Sequence, residues 1–90
     1  MPSIHVSSRF RRSFKKMPAH IQEDFRERIK VFSQDPFHPN LKTHKLSGQL
    51  DAYYSFYLTD GYRVLVDFIE KDVVLLVNVG SHDDYLKWTK

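Results

Sequence analysis

The chain contains no cysteine among its 90 residues, so neither disulfide bonds nor thiolate metal sites can form. No stretch approaches the roughly 20 apolar residues that a membrane-spanning helix requires. The first residues also lack the basic segment and the long apolar segment of a signal peptide. From these three absences we expect a soluble, cytoplasmic protein.

Apolar residues are abundant enough for a packed core. They make up 41% of the chain, and aromatic residues make up 14%, which is more than a disordered chain carries. Ninety residues suffice for one domain and leave no room for a second. We therefore expect a single domain over residues 1–90.

Positive charge is concentrated in two short segments, although the net charge is only +3. Such clusters attract a polyanion, either RNA or an acidic protein partner. The alternative is an ordinary solvated helix face. The first cluster contains Arg9, Arg11, Arg12, Lys15 and Lys16, and the second contains Lys42, His44 and Lys45.

The first half of the sequence predicts a strand and two helices. Residues 4–7 alternate between apolar and polar, as in a short strand. Aromatic residues at helical spacing predict a first helix over 9–16, and Pro18 suits the first turn of a second helix. The second helix carries one apolar stripe, whose residues lie four, four and three positions apart: Ile21, Phe25, Ile29 and Phe32.

The second half predicts strands over 50–58, 62–69 and 73–79, with turns at 59–61 and 70–72. A short helix, capped by Ser81 or Asp83, closes the chain. The whole pattern predicts an α+β fold. A short N-terminal strand and a two-helix hairpin join a mainly antiparallel four-stranded sheet, with both helices packed on one face.

The period of two along a strand divides the side chains between the two faces of the sheet. Tyr57 is expected opposite Arg63, and Ser55 opposite Leu65. We expect no cover over the far face, so an open platform there would suit single-stranded RNA, whose bases stack on aromatic rings. The platform residues are Tyr53, Ser55, Tyr57, Arg63, Asp67 and Asn78.

Two histidines and one arginine have the chemistry to cut RNA. The 2′-hydroxyl attacks the adjacent phosphate if a base takes its proton, an acid protonates the leaving oxygen and a cation stabilises the charge. His82 and His44 are the acid/base candidates and Arg63 is the cation. The sequence shows no metal-ligand spacing, so we expect neither a metal nor another cofactor.

Each candidate also has a purely structural interpretation. His82 can cap a helix, and His44 can be an ordinary loop residue. Arg63 can pair with Asp67, two residues along the strand. The two candidate tyrosines, Tyr57 and Tyr85, can serve only as packing aromatics, the second by anchoring the last helix.

Three segments in order carry a family resemblance: HKLSG at 44–48, GYRV at 61–64 and VGSH at 79–82. With the predicted order of elements, the chain resembles the RelE/ParE superfamily of type II toxin–antitoxin toxins over nearly its whole length. It is most similar to the RelE and YafQ branches. That similarity implies a RelE-like domain and a ribosome-dependent mRNA endonuclease that needs no metal.

The resemblance also suggests site residues. The YafQ branch has histidines matching His44 and His82, whereas the RelE branch has an arginine matching Arg63 and a tyrosine matching Tyr85. The lysine pair of the RelE branch is absent here, and the central histidine of the YafQ branch is replaced by Tyr57. The roles of base and acid therefore stay open.

The implied partners are a cognate antitoxin, the ribosome with its mRNA, and operator DNA bound through the antitoxin. No membrane partner is expected. The ParE branch, which poisons DNA gyrase, shares the fold without the catalytic residues. A gyrase inhibitor and an inactive, antitoxin-bound co-repressor are therefore the alternative functions.

Overall fold

The computed structural model describes residues 2–88, which form one mixed five-stranded sheet and three α-helices. The strand order is β1-β5-β4-β3-β2, and β1 runs parallel to β5 while the other neighbouring pairs are antiparallel. The strands are β1 (Ser3–Val6), β2 (His44–Lys45), β3 (Tyr54–Tyr57), β4 (Arg63–Glu70) and β5 (Val73–Gly80). The helices are α1 (Ser8–Lys15), α2 (Ala19–Gln34) and α3 (His82–Trp88).

The predicted fold class is confirmed, with one strand more than expected. The α+β order of strand, helical hairpin, sheet and C-terminal helix is the one that the sequence pattern indicates. The additional strand is β2, which has only two residues and pairs with the start of β3. Two residues are too few to show an alternating pattern, so sequence reasoning placed His44 in a loop.

The helical hairpin begins and turns where local hydrogen bonds allow it. Ser7 caps α1, because its Oγ accepts the backbone N–H of Phe10 at 2.9 Å. Pro18 precedes α2, where its missing N–H costs nothing. Gln22 then ties the turn together by donating from Nε2 to the carbonyls of Phe14 and Met17, each at 3.1 Å.

The main core lies between this hairpin and one face of the sheet. Ile21 and Phe32, both from the predicted stripe of α2, are fully buried there. Phe32 stacks on Phe56 of β3 with ring centroids 4.9 Å apart. Val64 and Val66 of β4 face the same core, as the period of two predicts. Burial of one such large side chain stabilises the fold by about 1.5–3 kcal/mol.

The prediction that the far face is uncovered is wrong. A second, smaller apolar cluster packs on that face around Leu46, Leu50 and Leu65. After β2 the chain turns through a short 3-10 helix at Gly48–Leu50, where the sequence pattern predicts the start of a strand. This turn packs Leu50 against the sheet, and Tyr85 and Trp88 of α3 cover more of the far face. The far face is therefore partly closed.

Asn78 also lies elsewhere than predicted. The residue that pairs with Arg63 is Gly80, because the β4–β5 ladder contains register shifts. The Oδ1 of Asn78 accepts a hydrogen bond from Ser13 Oγ of α1 at 2.7 Å. Asn78 therefore braces α1 against β5 and takes no part in the arrangement around Arg63.

Within residues 2–88, none of the helices has the length and apolar character needed to cross a bilayer.

Candidate active site

Arg63 lies at the end of the sheet where β4 begins and β5 ends. A tight turn delivers it there, in which Asp60 and Gly61 have φ angles of 58° and 77°. The turn closes through the backbone hydrogen bond from Leu58 N–H to the Tyr62 carbonyl at 2.7 Å. The predicted pairing of Tyr57 with Arg63 is confirmed.

Two tyrosine rings enclose the guanidinium of Arg63. Its Cζ lies 4.8 Å from the ring centroid of Tyr57 and 4.6 Å from that of Tyr85. The His44 ring stacks on the ring of Tyr57, with centroids 5.6 Å apart and an interplanar angle of 22°. Trp88 meets Tyr85 edge-on at 5.8 Å. We call this series, His44–Tyr57–Arg63–Tyr85–Trp88, the aromatic column.

Among the residues that the structure describes, Arg63 has no carboxylate partner. Its side chain is buried, with only 8% of the residue exposed. Nη2 donates to His82 Nδ1 at 3.0 Å and, at 3.4 Å, to the carbonyl of Gly61, whereas the buried Nε has no partner among the described residues. Within residues 2–88 Arg63 forms no ion pair with Asp67. Cation–π contacts with the two tyrosine rings stabilise the buried guanidinium.

His82 is positioned by the start of α3. Ser81 and Asp84 form a reciprocal cap, in which Asp84 N–H donates to Ser81 Oγ at 3.1 Å and Ser81 N–H donates to Asp84 Oδ2 at 3.0 Å. The cap fixes His82 as the first residue of the helix. A guanidinium can only donate, so His82 Nδ1 must be the acceptor toward Arg63. Neutral His82 therefore carries its proton on Nε2.

His44 has the opposite tautomer. Its Nδ1 lies 3.0 Å from the carbonyl oxygen of Lys42, which can only accept, so Nδ1 carries the proton. Neutral His44 consequently presents an unprotonated Nε2. The strand pairing of His44 with Ser55 holds its backbone, and the Tyr57 ring holds its imidazole. Neutral His44 can therefore accept a proton at Nε2, whereas neutral His82 uses its acceptor nitrogen toward Arg63 and acts as an acid only in its protonated form.

The structure brings together all five predicted catalytic residues, since His44, Tyr57, Arg63 and Tyr85 lie in the column and His82 touches it. Two of the predicted RNA-binding residues do not lie open. Ser55 is fully buried, and its Oγ has no hydrogen-bond partner in the described part of the chain. Tyr53 packs against the small leucine cluster. The remaining predicted RNA contacts are exposed: Arg9, Arg11, Arg12, Lys15, Lys16, Lys42 and Lys45.

Two contributors to the site were missed by sequence reasoning. Asp84 completes the cap that places His82, and the signal for it was present, since Ser81 precedes an acidic residue by three positions. The Gly61 carbonyl accepts from Arg63. No sequence signal could have found it, because a backbone acceptor has no side-chain identity.

Comparison with known proteins agrees with this architecture. No family model matches the sequence. No curated protein matches it either. Solved structures do match: YafQ from Escherichia coli strain BL21(DE3) has a TM-score of 0.78, with 94% of this chain and 98% of that chain covered at 11% identity.

Two further structures widen the comparison. The YoeB/ParE toxin from Agrobacterium tumefaciens has a TM-score of 0.72, with 91% of this chain and 99% of that chain covered at 16% identity. In the RelB–RelE antitoxin–toxin complex from Methanococcus jannaschii, the matching chain has a TM-score of 0.70, with 96% and 99% covered at 18% identity.

The chain has the RelE/ParE toxin fold. Every one of these identities is 18% or lower, so the likeness lies in the backbone. On this RelE-like fold, the chemistry has to be argued from the chain's own aromatic column and from His82.

Proposed function

We propose that this protein is the toxin of a type II toxin–antitoxin module and cuts mRNA on the ribosome. The reaction is metal-independent attack of the RNA 2′-hydroxyl on the adjacent phosphate. His44 is the general base, His82 is the general acid and Arg63 stabilises the phosphorane charge. The likeness to solved YafQ and RelE toxins supports the toxin role.

The observation that carries the proposal is the placement of both histidines around Arg63. His82 Nδ1 lies 3.0 Å from Arg63 Nη2, and the Tyr57 ring that contacts the guanidinium also stacks on His44. The unprotonated Nε2 of His44 suits removal of a proton from the 2′-hydroxyl. His82 Nδ1 faces a guanidinium, and a phosphate oxygen entering between them offers both groups an acceptor. In the proposed reaction His82 acts in its protonated form, which is the form that can protonate the leaving oxygen.

The tyrosines have supporting roles in this proposal. Tyr57 and Tyr85 hold the guanidinium plane from both sides, so the fork of Arg63 meets phosphate in a fixed direction. Because the Tyr57 ring lies between His44 and Arg63, its hydroxyl is the alternative base. Comparing Tyr57→Phe with His44→Ala in single-turnover cleavage separates these two assignments.

Ribosome dependence follows from how little of the substrate this domain encloses. The column lies at one end of the strands, so by itself it contacts an RNA strand from one side only. Free RNA would then be held weakly, and its 2′-hydroxyl would be poorly aligned for in-line attack. The exposed basic residues of α1 would dock on ribosomal RNA through salt-sensitive contacts. We expect negligible cutting of protein-free RNA and clear cutting of translated mRNA.

The proposed protein partner is a cognate antitoxin. A structure with this fold, the Methanococcus jannaschii RelE, was solved with its antitoxin RelB. The basic surface of α1 suits an acidic amphipathic helix that folds on binding. That segment would cover Arg63 or displace Tyr85, and the complex would bind operator DNA through the antitoxin.

The competing function is inhibition of DNA gyrase, since a YoeB/ParE toxin shares the fold. The decisive experiment adds the protein to a reconstituted translation reaction and, in parallel, to gyrase with supercoiled DNA. We expect mRNA cleavage in the first reaction and no DNA breakage in the second. Gyrase-mediated breakage without mRNA cleavage would replace the nuclease proposal, and inactivity in both would favour the co-repressor role.

A further inference from the structure

A cavity adjoins the aromatic column at Tyr57. It has a volume of about 480 Å³, which is large enough for a nucleotide. It touches the column directly through Tyr57, and through Gly61, whose carbonyl accepts from Arg63. Its lining residues are Arg28, Asn40, Lys42, Tyr57, Leu58 and Gly61.

The charge of this cavity suits an anion. Arg28 and Lys42 are both cations, but Arg28 is ion-paired with the carboxylate of Asp24, a residue outside the lining. Arg28 is held in place by Asp24, at 2.8 Å from its Nε, and by the Asn40 carbonyl, at 3.1 Å from Nη1. These two bonds use two of the five guanidinium donors. Lys42 is exposed and forms no ion pair within residues 2–88.

The backbone at Lys42 provides an independent observation. Lys42 has a left-handed conformation, with φ 54° and ψ 36°, which is unfavourable for a residue with a side chain. The same residue offers its carbonyl to the Nδ1–H of His44. One strained residue therefore sets the tautomer of the proposed base and contributes a cation to the adjoining cavity.

We propose that this cavity binds the RNA nucleotide next to the cleaved phosphate on the His44 side, an inference that rests on the proposed nuclease function. Arg28 and Lys42 contact its phosphate. Asn40 offers a side-chain amide, which can donate to and accept from a base edge, and the Tyr57 ring provides an apolar wall. Held in this way, the strand presents its 2′-hydroxyl toward His44.

The test titrates the full chain, labelled with ¹⁵N, with a trinucleotide whose 2′-oxygens are methylated so that it cannot be cut. We expect chemical-shift changes at Asn40, Tyr57 and Gly61. Lys42→Asn should weaken binding about tenfold, because one charged phosphate contact is lost. Asparagine tolerates the left-handed conformation, so the carbonyl bond to His44 is kept.

Lys71→Asn is the matched control, since Lys71 is exposed like Lys42 but lies in the turn between β4 and β5, outside the cavity and outside both basic clusters. It should weaken binding by less than twofold. Inorganic phosphate titrated alone should shift the same residues much more weakly, because a nucleotide also contacts Asn40 and Tyr57. Equal losses for both lysine variants, or shifts confined to α1, would overturn the proposal.

Cleavage on programmed ribosomes separates this inference from the function on which it rests. If the parent protein cuts but Lys42→Asn changes neither trinucleotide binding nor KM, only the cavity proposal fails. If the trinucleotide binds in the cavity but the parent cuts no mRNA, the nuclease function fails while the nucleotide site stands. A raised KM with little change in kcat for Lys42→Asn supports both.

Discussion

The two faces of the sheet differ in what they bury. The face beneath α1 and α2 is filled by large apolar side chains, among them Ile21, Phe32 and Phe56, none of which is exposed. The far face carries a smaller cluster around Leu46, Leu50 and Leu65. Beside it lie the buried Arg63 and the buried Ser55, whose Oγ has no hydrogen-bond partner within residues 2–88. The helix-covered face therefore supplies most of the stability. The far face holds buried polar groups whose presence stability does not explain.

The helices show the same contrast. Helix α2 spans 16 residues and buries an apolar stripe, whereas α3 spans seven residues and none of them is fully buried. Yet α3 carries His82 and Tyr85 and depends on a capping pair for its start. The difference suggests that α3 can be displaced at low cost, as a partner covering the site would require.

The largest expected effect is on the stability of the helix-covered face. Phe56→Ala should lower the free energy of unfolding by about 3–5 kcal/mol, because it leaves a cavity beside Phe32. Tyr85→Ala, on the far face, should cost less than half as much. Urea denaturation of both variants measures the asymmetry, and equal losses would contradict the division between the faces.

The next effect concerns the cation of the far face. Arg63→Ala should lower cleavage by roughly 10²–10³, as the loss of one preorganised transition-state donor does. The main core does not include Arg63, so the variant should stay folded. Arg63→Lys is the control, since it keeps the charge but loses the planar fork between the tyrosines. Unchanged toxicity of Arg63→Ala at equal expression would remove Arg63 from the site.

Replacement of either His44 or His82 by alanine should lower the cleavage rate about 10²-fold. In the proposed mechanism they act in the same step, so the double variant should lose much less than the product of the two single losses. Single-turnover cleavage on programmed ribosomes measures all three variants. Independent, fully multiplicative losses would argue against the two histidines acting on one phosphate.

A smaller effect should come from the junction between β5 and α3. A Cβ added to Gly80 would lie 2.7 Å from the Cβ of Asp84, so one of them must move. Gly80→Ala should shift α3 with His82 and lower cleavage about tenfold. Ser81→Ala removes only the cap and should cost about 1 kcal/mol of stability. Full activity of Gly80→Ala would show that the placement of His82 is not critical.

The sequence predicted the helix-covered face better than the far face. The apolar stripe of α2 and the alternation along β4 repeat with fixed periods, so the main core could be assigned to named residues. The far face depends on contacts between distant segments. Leu50 returns to the sheet through a 3-10 turn, and Asn78 is displaced by a register shift, neither of which leaves a periodic signal.

The candidate site was predictable as a set of residues but not as an arrangement. Motif order singled out His44, Arg63 and His82, and strand register placed Tyr57 opposite Arg63. The stacking of the guanidinium between two rings and the opposite tautomers of the histidines depend on side-chain positions and on the Lys42 carbonyl. Those positions are set by tertiary packing, which a linear pattern does not encode.

The central claim is that the far face performs acid/base chemistry with His44 as base and His82 as acid. The most direct measurement uses mRNA with a 5′-bridging sulfur at the cleaved bond, on programmed ribosomes, because a thiolate leaves without an acid. This substrate should restore His82→Ala close to the parent rate and leave His44→Ala slow. Restoration of His44→Ala instead, or of neither variant, would contradict the assignment.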